Sequence, residues 1–146
     1  MIVNKLEIVR LRPNSGRYMI AGDPVPWARS GYNQKSSHIY DTQKPIKYVI
    51  ASHIMEQHNG RPMYEGPLRL DITFYLKIPK VTKFKKATMI RVYHWTKPDL
   101  DNMTKLMKDI GTGLLYKDEC QIAQIVALKL YDEEPRTEFT ITELRI

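Results

Sequence analysis

The stretch LRLDITFYLKI, residues 68–78, decides the fold. Apolar residues alternate around Leu70, Ile72, Phe74 and Leu76, with β-branched and aromatic members, which is the pattern of a strand buried on one face. Upstream, Asp41 or Thr42 is placed to cap a helix that takes Pro45 in its first turn, with Ile46, Val49, Ile50, His53 and Ile54 spaced along one face, and Gly60 and Pro62 stop it. Before that helix, Arg17 to Gly22 reads as a short strand ended by Gly22, Pro24 and Pro26. The loop that follows carries Trp27, Arg29, Tyr32, Lys35 and Tyr40 and no acid between Asp23 and Asp41, so it reads as a basic, aromatic arm. Downstream, Thr88 to Trp95 is expected to form a second strand. Met103, Leu106, Met107, Ile110 and Leu114 predict a helix that starts near Asp101 and frays at Gly111 or Gly113. Two closing strands, Gln121 to Tyr131 and Glu138 to Ile141, flank a turn containing Pro135. This irregular alternation predicts an α+β domain, a mixed β-sheet with helices packed on one side, rather than a doubly wound parallel sheet.

At 146 residues the chain is long enough for one self-sufficient core and short for two, so residues 1–146 are taken as a single compact domain. No apolar run approaches the roughly 20 residues of a membrane span. The leading segment, broken by Asn4, Lys5, Glu7 and Arg10, lacks the apolar centre of a signal peptide, and a cytoplasmic location is expected. Cys120 is the only cysteine, which excludes intrachain disulfides and zinc ribbons and leaves oxygen or imidazole to hold any metal.

The charge is uneven. Lys plus Arg number 23 against 16 Asp plus Glu, a net charge of +7. Between Asp71 and Asp99 there is no acid, while Lys77, Lys80, Lys83, Lys85, Lys86, Arg91 and Lys97 all fall there. With Arg29 and Lys35 of the arm, these lysines form the footprint of a polyanion partner whose phosphates they neutralise, and nucleic acid is the first partner to consider. A solvated hairpin tip is the competing account of the lysine cluster alone. No basic amphipathic helix or lipidation signal points to a membrane.

Within this basic chain, acids concentrate in KPDLDNMTK, residues 97–105. Pro98 biases Lys97 toward an extended conformation. If that extension continues through Leu100, Asp99 and Asp101 project to one side and Leu100 to the other, into the core. Lys105 follows Asp101 by one helical turn and reaches the same side. A second acidic pair, Asp118 and Glu119, precedes the next strand, and the intervening chain is long enough to return, up to roughly 25 Å when extended. Carboxyl oxygens, a lysine and a basic surface together form a hard-ligand site for Mg²⁺ beside phosphates, which suits phosphodiester hydrolysis. The alternative on spacing alone is that Asp101 is only a helix cap, Asp99 serves the macrodipole, and Asp118 with Glu119 forms a turn. Asp109 stands at i+4 from Lys105 and is expected to pair with it.

The run KPDLDNMTKLMKDIGTGLLYKDECQI, residues 97–122, resembles the signature of the RusA family of Holliday junction resolvases. That pattern is (K/R)-P-D-(I/L)-D-N, a lysine four after the second Asp, a further Asp on the helix, then an aromatic ahead of D-D-x-Q-(I/V). GDPVPWAR, residues 22–29, is similar to the family's Pro-rich first turn, and YDTQKPIKY, residues 40–48, to its helix start, so the likeness runs from about Met19 to the final strand. It implies a RusA-like α+β domain paired as a homodimer on branched DNA, resolving four-way junctions with Mg²⁺, or Mn²⁺ in its place, in recombination and repair. It places the catalytic carboxylates on Asp99, Asp101 and Glu119 and the essential lysine on Lys105. The metal ligands then come from Asp99, Asp101 and the acid at 118 or 119. Glu119 departs from the family's Asp, so Asp118 and Glu119 both stand as candidates. DNA contacts are expected from Arg29, Lys35, Lys77, Lys80, Lys83, Lys85, Lys86 and Lys97. A nuclease for forks or flaps, or a junction-binding protein without turnover, is the alternative, and both phage and chromosomal origins fit. Residues 1–17 read as an extra leading strand or arm. Trp27 and Tyr32 suit stacking on an unpaired base, with packing an equal account of Trp27. His53, His58, His94 and Trp95 are assigned packing or surface roles, and Cys120 a small buried one.

Overall fold

The computed structural model describes residues 14–144. Of the expected arm at residues 1–17, the last three residues open β1, and residues 1–13 lie outside the described part. The strands are β1 (Ser15–Ala21), β2 (Gly31–Asn33), β3 (His38–Tyr40), β4 (Leu68–Lys77), β5 (Ile122–Asp132) and β6 (Arg136–Glu143). The helices are α1 (Lys44–His58), the single turn α2 (Lys86–Met89) and α3 (Leu100–Gly111), and a 3₁₀ turn, Glu119–Gln121, precedes β5. Four strands form one mixed sheet in the order β1-β6-β4-β5, and β2 and β3 pair as a separate hairpin. β4 pairs antiparallel with β6 and parallel with β5.

The predicted α+β class and mixed sheet are what forms. In β1, β4 and β6 alternate residues are buried, as period-two patterning demands. Tyr18, Leu70, Ile72, Phe74, Phe139 and Ile141 of the sheet meet Ile50 and Ile54 of α1 and Met103, Leu106 and Ile110 of α3 in one core. Parallel neighbours require a crossover. Residues 78–121 supply it, and α3, which bears the acidic motif, is its principal helix. No helix of the described residues is long and apolar enough to cross a membrane.

Three local expectations change. The segment Thr88–Trp95 is not a strand: α2 occupies its start, Arg91 has φ 64°, and only Tyr93 bridges to Leu130. The backbone turns there because Met89 drops into a small core with Ile78 and Tyr131, and β5 then takes hydrogen bonds from Arg91 and His94. α1 buries Ile50, Ile54 and His58, leaving Ile46, Val49 and His53 exposed. Its N-cap position falls on Gln43, whose amide is occupied elsewhere, while the Asp41 carboxylate receives the Gln43 N–H at 2.9 Å. Cys120 is exposed, because the 3₁₀ turn lies on the surface.

Candidate active site

α3 starts one residue earlier than its apolar spacing predicts. Leu100 is its first residue, partly buried against the core, so it anchors the motif as expected. The extended path therefore ends at Asp99, and Asp101 lies in the first helical turn rather than on a strand. Asp99 takes the N-cap position with φ −69° and ψ 133°, and its carbonyl receives the Met103 N–H at 3.2 Å. Its carboxylate makes no capping bond. An aspartate at this position ordinarily caps, with a gain of about 1 kcal/mol. Both carboxylates sit at the helix N-terminus, where the macrodipole favours negative charge. Both are exposed, as is Lys105 one turn further on.

The ion pairs of the described residues take up Lys47, Arg69, Arg91 and Arg136. Asp99, Asp101, Lys105 and Glu119 are in none of them. Asp109 does not pair with Lys105: it meets Lys47 of α1 at 3.0 Å, because α1 packs beside that end of α3. Lys105 instead places its ammonium 3.7 Å from the centroid of the Trp27 ring.

That contact follows from the Pro-rich turn. The Trp27 N–H donates to the Asn102 carbonyl at 3.0 Å, so the turn lies along the first turn of α3. The buried amide of Gln43 clamps it on both sides, donating to the Pro26 carbonyl at 2.8 Å and accepting the Ala28 N–H at 2.9 Å. The Thr42 hydroxyl donates to the Arg29 carbonyl at 3.2 Å, and the β2–β3 hairpin projects beyond, with Tyr32, Ile39 and Tyr40 exposed. The basic arm thus begins at the acidic motif, two segments far apart in sequence.

On the other flank, Lys129 of β5 donates to the carbonyls of Thr96 at 2.5 Å and Pro98 at 2.6 Å, pinning the backbone ahead of Asp99. His94 packs on Tyr131, and its buried Nδ1 has no partner among the described residues. Burial and the neighbouring Lys129 charge push its pKa below the ordinary histidine value. Sequence reasoning missed Lys129 and Gln43. A lone lysine within the apolar run of β5 is the signal that marks the first, and nothing in the sequence singles out the second.

The second acidic pair divides in role. The Asp118 carboxylate accepts the Cys120 N–H at 2.8 Å, which holds it below the usual carboxylate range. It belongs to a capping box in which the Gln121 side chain accepts the Asp118 N–H at 3.0 Å and donates to the Gly66 carbonyl at 3.1 Å. Gln121 thereby ties the turn to the start of β4. Glu119 is exposed and has no side-chain partner among the described residues. Burial raises the Tyr116 hydroxyl above its ordinary pKa, and the Glu119 and Asp109 charges add to the shift. The 3₁₀ turn packs against α3, yet among the described residues no three His, Cys, Asp or Glu side chains converge into a metal-holding group. The donors stand as a free pair, Asp99 and Asp101, and a neighbouring turn that carries Glu119 and Asp118.

Arg29, Lys35, Lys77, Lys80, Lys83, Lys85, Lys86 and Lys97 are all exposed and in no ion pair among the described residues. Arg91 of the same basic stretch is consumed by Asp132 at 2.6 Å.

A mixed-sheet α+β domain whose Asp99 and Asp101 are in no ion pair among the described residues, on a lysine-rich surface, fits a nuclease. The model of the family described as endodeoxyribonuclease RusA matches residues 21–142, and the chain belongs to that family: it is an endodeoxyribonuclease. It is 31% identical over 137 residues to the uncharacterized protein YqaN of Bacillus subtilis (strain 168), covering 88% of this chain and 96% of that protein. It is 34% identical over 110 residues to the crossover junction endodeoxyribonuclease rusA of Lactococcus phage r1t, covering 72% of this chain and 77% of the phage protein.

Proposed function

We propose that this chain is a Mg²⁺-dependent, structure-selective endonuclease that resolves Holliday junctions as a homodimer, in DNA recombination and repair. The observation that carries the reading is the Asp99 and Asp101 pair, held at the start of α3 and in no ion pair among the described residues, within a family of DNA endonucleases. The phage relative named as a crossover junction endodeoxyribonuclease supports the choice of branched substrate. A bacterial cytoplasm, with a phage, prophage or chromosomal gene, fits this substrate.

The donor set fits a magnesium ion. Mg²⁺ keeps several waters and commonly takes one or two carboxylates plus substrate phosphates rather than a complete protein cage. Asp99 and Asp101 supply two such oxygens that no cation of the described residues pairs with, and Glu119 is the carboxylate of the adjacent turn outside any ion pair among them, since Asp118 is committed to its cap. When bound, the ion supplies Lewis-acid stabilisation of the phosphate and lowers the pKa of a coordinated water. Lys105 holds positive charge beside the acidic pair to receive a phosphate oxygen. Arg29, Lys35, Lys77, Lys80, Lys83, Lys85, Lys86 and Lys97 neutralise the backbone of the DNA arms.

The test is incubation with a synthetic four-way junction and Mg²⁺, beside linear duplex, fork and flap controls. Paired, symmetric cuts in the junction are expected, with Mn²⁺ active in place of Mg²⁺ and Ca²⁺ weak, because its looser coordination positions water poorly. Preferential cutting of forks or flaps would move the substrate, and binding without cleavage in any metal would leave a junction-binding protein.

A further inference from the structure

We propose that Trp27 is the positioning residue for Lys105, its indole face seating the ammonium that acts on the phosphate. This rests on the nuclease reading above for the role of Lys105, but the seat itself is visible in the structure. The ammonium lies 3.7 Å from the ring centroid, well inside the roughly 6 Å within which a cation is attracted to an aromatic face.

Two features make this a built arrangement. The ring is held by groups other than the lysine: the Trp27 backbone N–H is bonded to the Asn102 carbonyl, the Gln43 amide grips the residues on either side, and the indole packs against the core. Among the described residues the lysine also has no carboxylate partner, since Asp109 is occupied by Lys47 and Asp101 makes no ion pair. A lysine that must meet a phosphate faces conflicting demands. Its four-carbon stem has to be localised, yet a salt bridge that localised it would neutralise the charge and compete with the phosphate. An aromatic face resolves the conflict, because its quadrupole attracts the ammonium without accepting a strong hydrogen bond, so the outward N–H donors stay available. The seat also couples the Pro-rich turn to the site, so the basic arm and Lys105 are placed by one backbone segment.

The experiment uses the full chain with tryptophans carrying one to four ring fluorines at position 27, alongside Trp27→Phe and Trp27→Leu. Fluorine withdraws the negative face while nearly preserving shape, so folding is not at issue in that series. The cleavage kcat on a four-way junction is expected to fall stepwise with fluorine number, and by about five- to thirty-fold in Trp27→Leu, with KM nearly unchanged and Trp27→Phe retaining most of the rate. In a second readout, ¹³C-methylated lysines are followed by NMR and Lys105 is assigned with Lys105→Arg. Its methyl signals should be shifted by the ring current in the wild type and return to free-lysine positions in Trp27→Leu. A constant kcat across the fluorine series, or Lys105 signals without a ring-current shift, overturns the proposal. If the wild type cuts no DNA in any metal, the nuclease reading fails, while the NMR shift still decides whether the seat exists.

Discussion

Asp99 occupies a cap position and does not cap. A carboxylate that forgoes about 1 kcal/mol of helix stabilisation is left open to another partner, as the proposed metal site requires. Asp99→Asn and Asp101→Asn are therefore expected to reduce cleavage to background while junction binding, measured by gel shift without divalent metal, stays intact or tightens, since a charge that repels phosphate is removed. Wild-type cleavage rates in either variant would remove the pair from the site. His94 offers a pH prediction. Its folded pKa lies below the unfolded value of about 6.5, so the neutral ring contributes stability above pH 6.5 that is lost as pH falls through the folded pKa. Acidification from pH 7 to 5 should lower the urea midpoint of the wild type more than that of His94→Phe, which cannot protonate. Equal losses would place the acid sensitivity elsewhere.

At the scale of elements, the chain must turn at the end of α3 and come back to β5, and the packing there is close. A Cβ at Gly111 would stand 2.6 Å from the Tyr116 hydroxyl, which itself donates to the Lys108 carbonyl at 2.7 Å. Gly111→Ala should therefore displace Tyr116 and cost about 1–3 kcal/mol. The 3₁₀ turn that follows separates two adjacent acids by function. Asp118→Ala removes a capping acceptor and should lower stability by about 1 kcal/mol, seen as a reduced Tm. Glu119→Gln should leave the Tm unchanged and lower cleavage, if the carboxylate serves the proposed metal. If the two variants exchange effects, the third ligand is Asp118. Spacing could not separate these roles, because the capping box depends on where Gln121 directs its amide, and that is fixed by the Gly66 carbonyl in the bend ahead of β4.

For the whole molecule, the proposed coordinated cuts require two sites in fixed relation, which a two-fold homodimer provides. Among the described residues the two sheet edges differ. The Gln57 side chain covers the β1 edge, bonding both the N–H and carbonyl of Met19 at 2.7 Å. The β5 edge runs through the uncharged stretch IAQIVAL, residues 122–128, with Ile125 and Val126 exposed. An unprotected edge of this kind invites pairing. Sedimentation at micromolar concentration should show a dimer, and Val126→Lys should shift it toward monomer. Junction affinity should fall steeply with salt. Replacing Lys83, Lys85 and Lys86 by Ala should lower the log–log slope by up to about 2.7, at roughly 0.9 per phosphate contact. An unchanged slope would move the DNA surface away from this loop.

The sequence alone determined the strand at 68–78, the two long helices, the mixed α+β class and the acidic motif with its lysine. Each depends on periodicity or on neighbours within a few residues, where backbone geometry alone fixes which side chains share a face. Thr88–Trp95 escaped that reading because burial of Met89 and bonds to β5 outweighed a local preference for extension. Tertiary structure decided the partners: Asp109 went to Lys47, Lys105 to Trp27, the backbone before Asp99 to Lys129, and Gln43 to the Pro-rich turn. All four join segments distant in the chain. A long side chain reaches many neighbours, and only the packed core fixes which of them stands within about 4 Å.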